Sequence, residues 1–389
     1  MTQTHTQELE QNPVVNRRPD RCVRAGSSVK FGKNNEFQAE VRRRVDQFFQ
    51  RTGRRRRDVP QMYLKTVILL AAFASLYFLL VFVAHTWWQA LPLAILLGLT
   101  TAGIGFNIQH DGGHQAYSEH PWVNKLMALT LDLIGGSSYL WHYKHGVYHH
   151  TYVNITHQDT DIDLGMLARL TPHQKRYWFH RWQHLYIWPL YGLFVIKWHL
   201  FDDFKDVITG RIGEHRFPRP KGWDLVAFIL GKFVFLTLAL GIPLLFHRLW
   251  VVFLFYGIVA AVLGSVLSVV FQLAHAVEDA EFPMPLEATG NMDHAWAIHQ
   301  VETTVDFARR SRIAAWLLGG LNFQIEHHLL PRICHVNFPA LSPIVKETCR
   351  EYGVKYNEHP SFRAGLASHF RWLRQMGIAE AARCRGRDA

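Results

Sequence analysis

The chain has 389 residues, of which 49% are apolar, 13% aromatic and only 19% charged. This charged share lies below the roughly 25% of an average soluble domain, and the aromatic content excludes a disordered chain. Lys and Arg outnumber Asp and Glu by 11, and the 24 His are unusually many. The four Cys show no CxxC spacing, which excludes a disulfide scaffold and a Cys-type zinc or iron–sulfur site.

The first 64 residues form a basic segment that we predict to be cytoplasmic. An apolar stripe at helical spacing predicts an amphipathic helix over 36–50. The stripe consists of Phe37, Val41, Val45, Phe48 and Phe49. This helix either lies on the membrane or packs on the rest of the protein, and both placements stay open. Four Arg at 54–57 precede the first apolar stretch, where cations meet anionic headgroups, so we predict no nucleic-acid partner.

Four stretches are long and apolar enough to cross a bilayer, which takes about 20 residues, at 66–84, 90–108, 225–246 and 249–273. Their one charged residue is Lys232, which we expect to snorkel to the interface. Short links at 85–89 and 247–248 join the stretches into two helical hairpins. The basic N-terminus predicts that both links lie outside and that the chain returns to the cytoplasm after each hairpin.

Histidines are clustered in three places on the predicted cytoplasmic side of these stretches. His110 and His114 form H-x3-H, His145, His149 and His150 form H-x3-HH, and Gln324, His327 and His328 form Q-x2-HH, while His275 closes the fourth stretch. Imidazoles three or four residues apart lie on one helix face and can present two nitrogens to one metal. Eight imidazoles divide naturally into two sites of about four, which predicts a dinuclear centre.

The identity of the metal stays open at this point. No HExxH motif occurs, which counts against a zinc metalloprotease. Neutral imidazole suits Fe, Cu, Zn and Ni. Iron is the choice if the reaction is oxidative, because zinc has no redox chemistry.

The predicted fold is an all-α membrane protein with four transmembrane helices in two hairpins and a helical cytoplasmic cap that holds a di-metal site. The cap comprises 111–222 and 276–356, within one membrane-and-cap domain over 65–356, and 357–389 is a cytoplasmic tail. Two weaker apolar runs occur at 126–140 and 185–200. If either run spanned alone, one histidine cluster would lie across the bilayer from the others, so we expect both to be interfacial or buried in the cap.

The clusters resemble a known family. HDGGH, KHGVYHH followed by TYVNI, and GGLNFQIEHHLLP resemble the three histidine boxes of the membrane fatty-acid desaturases. In the third box, Gln324 stands in place of the first His. In this respect the box resembles that of the front-end subgroup, typified by acyl-lipid and linoleoyl-CoA desaturases acting at Δ6 or Δ5. The resemblance runs from about 31 to about 356. It implies two non-haem iron ions, O2 as co-substrate, and introduction of a double bond into a fatty acyl chain carried by a lipid or by CoA.

The resemblance also implies roles for individual residues. The iron ligands would be His110, His114, His145, His149, His150, His327 and His328, with His275 as the eighth. Gln324 would lie near the metals or the substrate. Phe271 stands where some acyl-CoA desaturases have an Asn, and Phe271 and Trp141 are candidates for lining a substrate tunnel, as are Tyr148 and Trp316. Acidic neighbours expected to orient the imidazoles are Asp111, Asp159, Asp161, Asp163 and Glu326.

No HPGG motif of a fused cytochrome b5 domain occurs in the sequence, so we expect a separate electron donor of the ferredoxin or cytochrome b5 type. We expect a multi-pass membrane protein with its site on the cytoplasmic face, in a bacterial inner membrane rather than the endoplasmic reticulum. The alternatives are a hydroxylase or ketolase of a hydrocarbon or carotenoid on the same metals, a zinc-dependent membrane hydrolase, and a non-catalytic adaptor.

Overall fold

The computed structural model describes residues 29–286 and 288–378, and these residues are mostly helical. In chain order the helices are α1 (Glu36–Thr52), α2 (Pro60–Val83), α3 (Trp87–Gly113), α4 (Pro121–Ala128), α5 (Thr130–Leu133), α6 (Ser138–Trp141), α7 (His150–Tyr152), α8 (Gln183–Lys197), α9 (Asp203–Thr209), α10 (Trp223–Phe246), α11 (Leu249–His275), α12 (Trp296–Glu302), α13 (Arg312–Leu317), α14 (Gln324–Leu329), α15 (Phe338–Glu351) and α16 (Phe362–Ile378).

Shorter elements complete the fold. A π-helix at His142–His149 joins α6 to α7, another at Trp198–Asp202 joins α8 to α9, and π-helical turns also occur at Leu79–Val83, Gly105–Gln109 and Thr237–Gly241. Single 3₁₀ turns lie at Thr160–Ile162, Trp178–Trp182 and His335–Asn337. Strands β1 (Arg211–Ile212) and β2 (His215–Arg216) pair antiparallel, and β3 (Asp306–Phe307) and β4 (Glu358–His359) pair parallel.

Within the described part of the chain, four helices are long and apolar enough to cross a membrane, namely α2, α3, α10 and α11. They coincide with the four predicted stretches, which confirms that part of the sequence analysis. Helix α3 is longer than expected because it continues through Gly113, four residues beyond the π-helical turn that ends at Gln109. His110 is therefore part of this long helix, and His114 directly follows its last residue.

Helix α1 packs against the protein through its apolar face. The buried side chains on this face are Phe37, Val41, Val45 and Phe49, and they share a core with Val301, Leu329, Leu341 and Val345 of α12, α14 and α15. Burial of one such side chain stabilises a fold by about 1.5–3 kcal/mol. Of the two placements left open by the sequence, packing on the protein is therefore correct.

The two weaker apolar runs do not form helices of the membrane-crossing class. The run at 126–140 is divided between α4, α5, the beginning of α6 and a turn in which the Gly136 N–H donates to the Leu131 carbonyl. The run at 185–200 forms most of α8, which packs along α11 with Gly192 facing Ala261. The expectation that neither run spans alone agrees with the structure.

Lys232 does not snorkel, and this prediction is wrong. The side chain is buried, and its Nζ donates to Asp203 Oδ2 at 2.7 Å and to the Gly135 carbonyl at 2.7 Å. Asp203 also accepts from Trp198 Nε1 at 2.9 Å. A buried charge is tolerated where it is paired and hydrogen-bonded, and here the pair connects α10 to α9.

Replacing Lys232 by Met is expected to destabilise the protein by about 3–5 kcal/mol, because it leaves the Asp203 carboxylate buried without its cation. Thermal unfolding in detergent measures the loss. The double variant Lys232→Met/Asp203→Asn removes the stranded charge and should recover part of the stability. Equal stability of Lys232→Met and the parent would contradict this interpretation.

Candidate metal centre

The first histidine cluster depends on two glycines for its close packing. A Cβ at Gly112 would lie 2.6 Å from the Ala128 nitrogen of α4, and one at Gly113 would lie 2.2 Å from Trp141 Cζ3. Real Cβ atoms do not approach other atoms so closely, so a side chain at either position would displace α4 or the indole. This explains why helix-destabilising glycines separate His110 from His114.

The second cluster lies on the π-helix His142–His149 and the following α7. His145, His149 and His150 are all buried. The third cluster lies on α14, which begins at Gln324 after the Gly319–Gly320 turn, and His275 is the last residue of α11. The eight histidines thus come from four separate segments of the chain.

The structure brings all eight predicted rings together. Ring centroids are separated by 4.4 Å for His110 and His327, 4.8 Å for His149 and His275, and 4.3 Å for His150 and His328. Ligand atoms lie within 4.8 Å of one another in three overlapping groups. The groups are His110, His114, His145 and His327; His149, His275 and His328; and His150, His327 and His328.

The free ring nitrogens suit a cation. Among the described residues, Nε2 of His110, His114, His149 and His327 is buried without a hydrogen-bond partner. In addition, Nε2 of His145 lies 3.3 Å from Nε2 of His150. Buried polar atoms normally have partners, and a set of convergent, unpartnered imidazole nitrogens is the arrangement that metal ions satisfy.

Burial keeps most of these rings neutral, as metal ligation requires. Loss of water and the neighbouring rings lower the pKa of His114, His150, His327 and His328 well below its ordinary value, and burial lowers the pKa of His145 to about 4. His149 differs: burial opposes its charge, but the carboxylate of Asp159 outweighs that cost and raises its pKa.

Two buried side chains, Asp159 and Gln300, and the half-buried Asp161 lie beside the outer nitrogens of the rings. Asp159 Oδ2 lies 3.1 Å from His149 Nδ1, and Asp161 Oδ2 lies 3.8 Å from the same atom. Gln300 Oε1 lies 2.8 Å from His328 Nδ1. A partner on Nδ1 leaves Nε2 free for a metal. Sequence reasoning found the two acids beside the second box but missed Gln300, which no motif marks.

The other acidic candidates do not contact the eight clustered rings through a hydrogen bond. Asp111 Oδ2 lies 3.0 Å from Nδ1 of His335, outside the clusters, and Glu326 accepts from the Tyr356 hydroxyl at 2.9 Å. Asp163 is exposed and accepts from the Gly165 N–H. These three predictions assumed that neighbours in sequence face the rings, whereas each side chain points away.

Gln324, Trp141 and Phe271 lie against the rings. Gln324 Nε2 is 3.0 Å from His275 Nε2. Trp141 stacks on His145 at 4.6 Å, and the Phe271 ring lies 4.9 Å from that of His149. The other two tunnel candidates lie elsewhere: Tyr148 stacks on His215 at 4.2 Å, and Trp316 lies over Lys65.

A family model described as fatty acid desaturase matches residues 86–360, which include all eight histidines. This chain belongs to the fatty acid desaturase family. The desaturase is therefore an oxidoreductase, and the hydroxylase, hydrolase and adaptor alternatives are set aside.

Curated relatives agree with this assignment over most of the chain. The desaturase is 40% identical to the sn-1 linoleoyl-lipid 6-desaturase of Arthrospira platensis over 90% of this chain and 95% of the relative. It is 36% identical to the protein of the same name from Synechocystis sp. over 90% and 98%. It is 34% identical to the acyl-lipid (8-3)-desaturase of Physcomitrium patens over 93% and 76%.

Proposed function

We propose that the eight clustered histidines bind two iron ions in this desaturase. One ion would be held by His110, His114, His145 and His327, and the other by His149, His275 and His328. His150, which groups with His327 and His328, would be the remaining ligand. The convergence of the rings, four of which have a buried Nε2 without a hydrogen-bond partner among the described residues, supports this assignment. A dinuclear iron centre supplies the O2 chemistry that removes two hydrogens from adjacent CH2 groups.

Side chains around the histidines orient the rings and set the charge beside them. Asp159 and Gln300 fix the orientation of the rings of His149 and His328 through their Nδ1 atoms. Lys144 lies 3.5 Å from Asp161 and, against the cost of burial, keeps the pKa of that carboxyl below its ordinary value. Trp141 and Phe271 pack against the rings of His145 and His149 and offer an apolar surface to an acyl chain.

The substrate we propose is the acyl chain of a membrane lipid, with the new double bond at a front-end position, Δ6 or Δ5. The names of the relatives and the Q-x2-HH cluster support this proposal. Expression in a host supplied with saturated and polyunsaturated acids tests it by mapping of new double bonds. A hydroxylated product without a new double bond would contradict it, and iron analysis of the purified protein tests the centre.

A cavity between the four long helices supports an acyl substrate. It has a volume of about 460 Å³ and runs from Trp87 at the α2–α3 link to Ile134 and His199 near the base of the helices. This volume lies within the usual range of ligand pockets. Ile134 and Trp141 belong to one apolar cluster, and Trp141 stacks on His145. We infer that the cavity receives the methyl end of the chain.

Ala260→Phe is expected to narrow this cavity, because Ala260 lines it from α11. If overpacking by the longer chain costs about 1–3 kcal/mol, turnover of icosanoyl relative to hexadecanoyl chains should fall roughly 5- to 150-fold. The control is Leu99→Phe, at an exposed position of α3. An unchanged ratio for Ala260→Phe would contradict the cavity assignment while leaving the desaturase assignment intact.

The proposed topology completes the assignment. The long helices form two hairpins, with the links at Ala84–Thr86 and His247–Arg248 outside, and the remaining segments form a cytoplasmic cap that faces a separate electron donor. The basic residues at 54–57 support a cytoplasmic N-terminus.

The domain limits 1–64, 65–356 and 357–389 remain predictions, and residues 1–28 and 379–389 lie outside the described part of the chain. Labelling of single cysteines in each link from outside spheroplasts tests the orientation and a bacterial inner-membrane location.

A further inference from the structure

Asn154, four residues after the second histidine box, is fully buried at a junction of three chain segments. Its Nδ2 donates to the His275 carbonyl at 2.9 Å, the Glu281 carbonyl at 3.1 Å and the Thr303 carbonyl at 3.2 Å. An amide NH2 has two hydrogens, so three acceptors use its full donor capacity. One side chain thus holds the end of α11 and two later loops.

The His275 carbonyl needs such a partner. The last four carbonyls of a helix have no N–H donor within the helix to pair with. His275 is the last residue of α11, so its carbonyl is one of these four. The Val305 N–H donates to the Ala274 carbonyl, and Asn154 supplies the donor for the His275 carbonyl. The backbone that carries the His275 ring is therefore fixed by Asn154.

The backbone of Asn154 anchors the second box at the same time. Its N–H donates to Asp159 Oδ2 at 3.0 Å, the oxygen that also lies 3.1 Å from His149 Nδ1. The φ angle of Asn154 is +57°, a left-handed conformation that Asn adopts more readily than most residues. This turn lets the backbone face Asp159 while the side chain faces α11.

We propose that Asn154 is a positioning residue that fixes His275 relative to His149, so that this pair of rings is assembled before metal binds. The inference rests on the proposed dinuclear centre. Asn154 hydrogen-bonds both to the His275 carbonyl and to the Asp159 carboxylate beside His149, and the centroids of the two rings lie 4.8 Å apart. Loss of the Asn154 side chain would remove its hydrogen bond to the backbone of His275. The expected consequence is weaker binding of one metal ion and unchanged binding of the other.

Two variants test this role. Asn154→Gly keeps the left-handed backbone and removes the amide, whereas Asn154→Asp keeps the shape and places an oxygen against three carbonyls. The control is Asn337→Gly, because Asn337 is also buried and its Nδ2 donates to the Arg55 and Arg56 carbonyls, away from the rings. Thermal unfolding of each purified chain shows whether it is folded.

The measurement is a titration of the metal-free, full-length chain with Co²⁺, followed by ligand-field absorption. In both Asn154 variants we expect one equivalent to bind as in the parent and one to bind roughly 10–100-fold more weakly, the usual effect of losing an outer partner of a metal ligand. Asn337→Gly should match the parent. In a His275→Ala background, Asn154→Gly should have no further effect.

Parent-like binding of both equivalents by a folded Asn154 variant would overturn the proposal. An undiminished effect of Asn154→Gly in the His275→Ala background would also overturn it, because the effect would then not act through His275. Failure of the proposed centre gives a different result, since the parent chain itself would then not bind two equivalents.

Discussion

His327→Ala is expected to reduce desaturation to the background of the host and to lower the iron content of the purified protein. A large effect is expected because the His327 ring belongs to two of the three histidine groups, one with His110 and one with His328. Its Nε2 is buried without a partner among the described residues, so the ring has no other evident structural task. Double-bond formation by gas chromatography and iron per chain measure the two losses.

His184→Ala is the matched control for His327→Ala. His184 is half-buried on α8, remote in sequence from the boxes, and its ring packs on Phe370. We expect this variant to keep parent-like activity and iron content. Both variants should insert into the membrane equally, which fractionation checks. Substantial turnover by His327→Ala would refute the assignment of the ligands.

Asp159→Asn is expected to weaken metal binding roughly 10–100-fold, the usual cost of losing a carboxylate behind a ligating imidazole. Asp159 Oδ2 accepts from the Asn154 N–H and contacts His149 Nδ1, while Oδ1 accepts from the Asp161 N–H. An amide at this position must turn its NH2 toward at least one of these donors. It also removes the negative charge beside His149. Competition with a chelator for Fe²⁺ measures the affinity.

Asp163→Asn provides the comparison for Asp159→Asn. Asp163 lies four residues later but is exposed, and the hydrogen bond that its carboxylate accepts from the Gly165 N–H can be kept by an amide oxygen. We expect parent-like Fe²⁺ affinity for this variant. Equal affinities of the Asp159 and Asp163 variants would show that the carboxylate does not orient His149.

The sequence contained enough information for the four long helices and for the rings. Hydropathy is a local property, and the lack of charge over 66–84 and 249–273 leaves few structures other than membrane helices. The clusters were recognisable because helical spacing places His110 beside His114. We could infer that the four segments approach one another because eight imidazoles can bind a shared metal centre only if they lie close together.

The partners of the rings were not predictable in the same way. Gln300 reaches His328 from α12, and Asn154 reaches His275 across more than a hundred residues, so neither has a local signature. Lys232 was misjudged because hydropathy does not show that α9 supplies Asp203. These side-chain partners are determined by contacts between segments that are distant in sequence. Such contacts leave no recognisable local pattern in a single sequence.

The π-helix at His142–His149 has a consequence for the angular order of the second box. In an α-helix successive side chains turn by about 100°, so a residue five positions after His145 would point roughly 140° away from it. The wider π-helical turn, closed by hydrogen bonds between residues five apart, brings His150 back toward the face shared by His145 and His149. The box therefore tolerates changes of side chain at Gly146 or Val147 better than the loss of either residue, because a deletion would change the phase of the third imidazole.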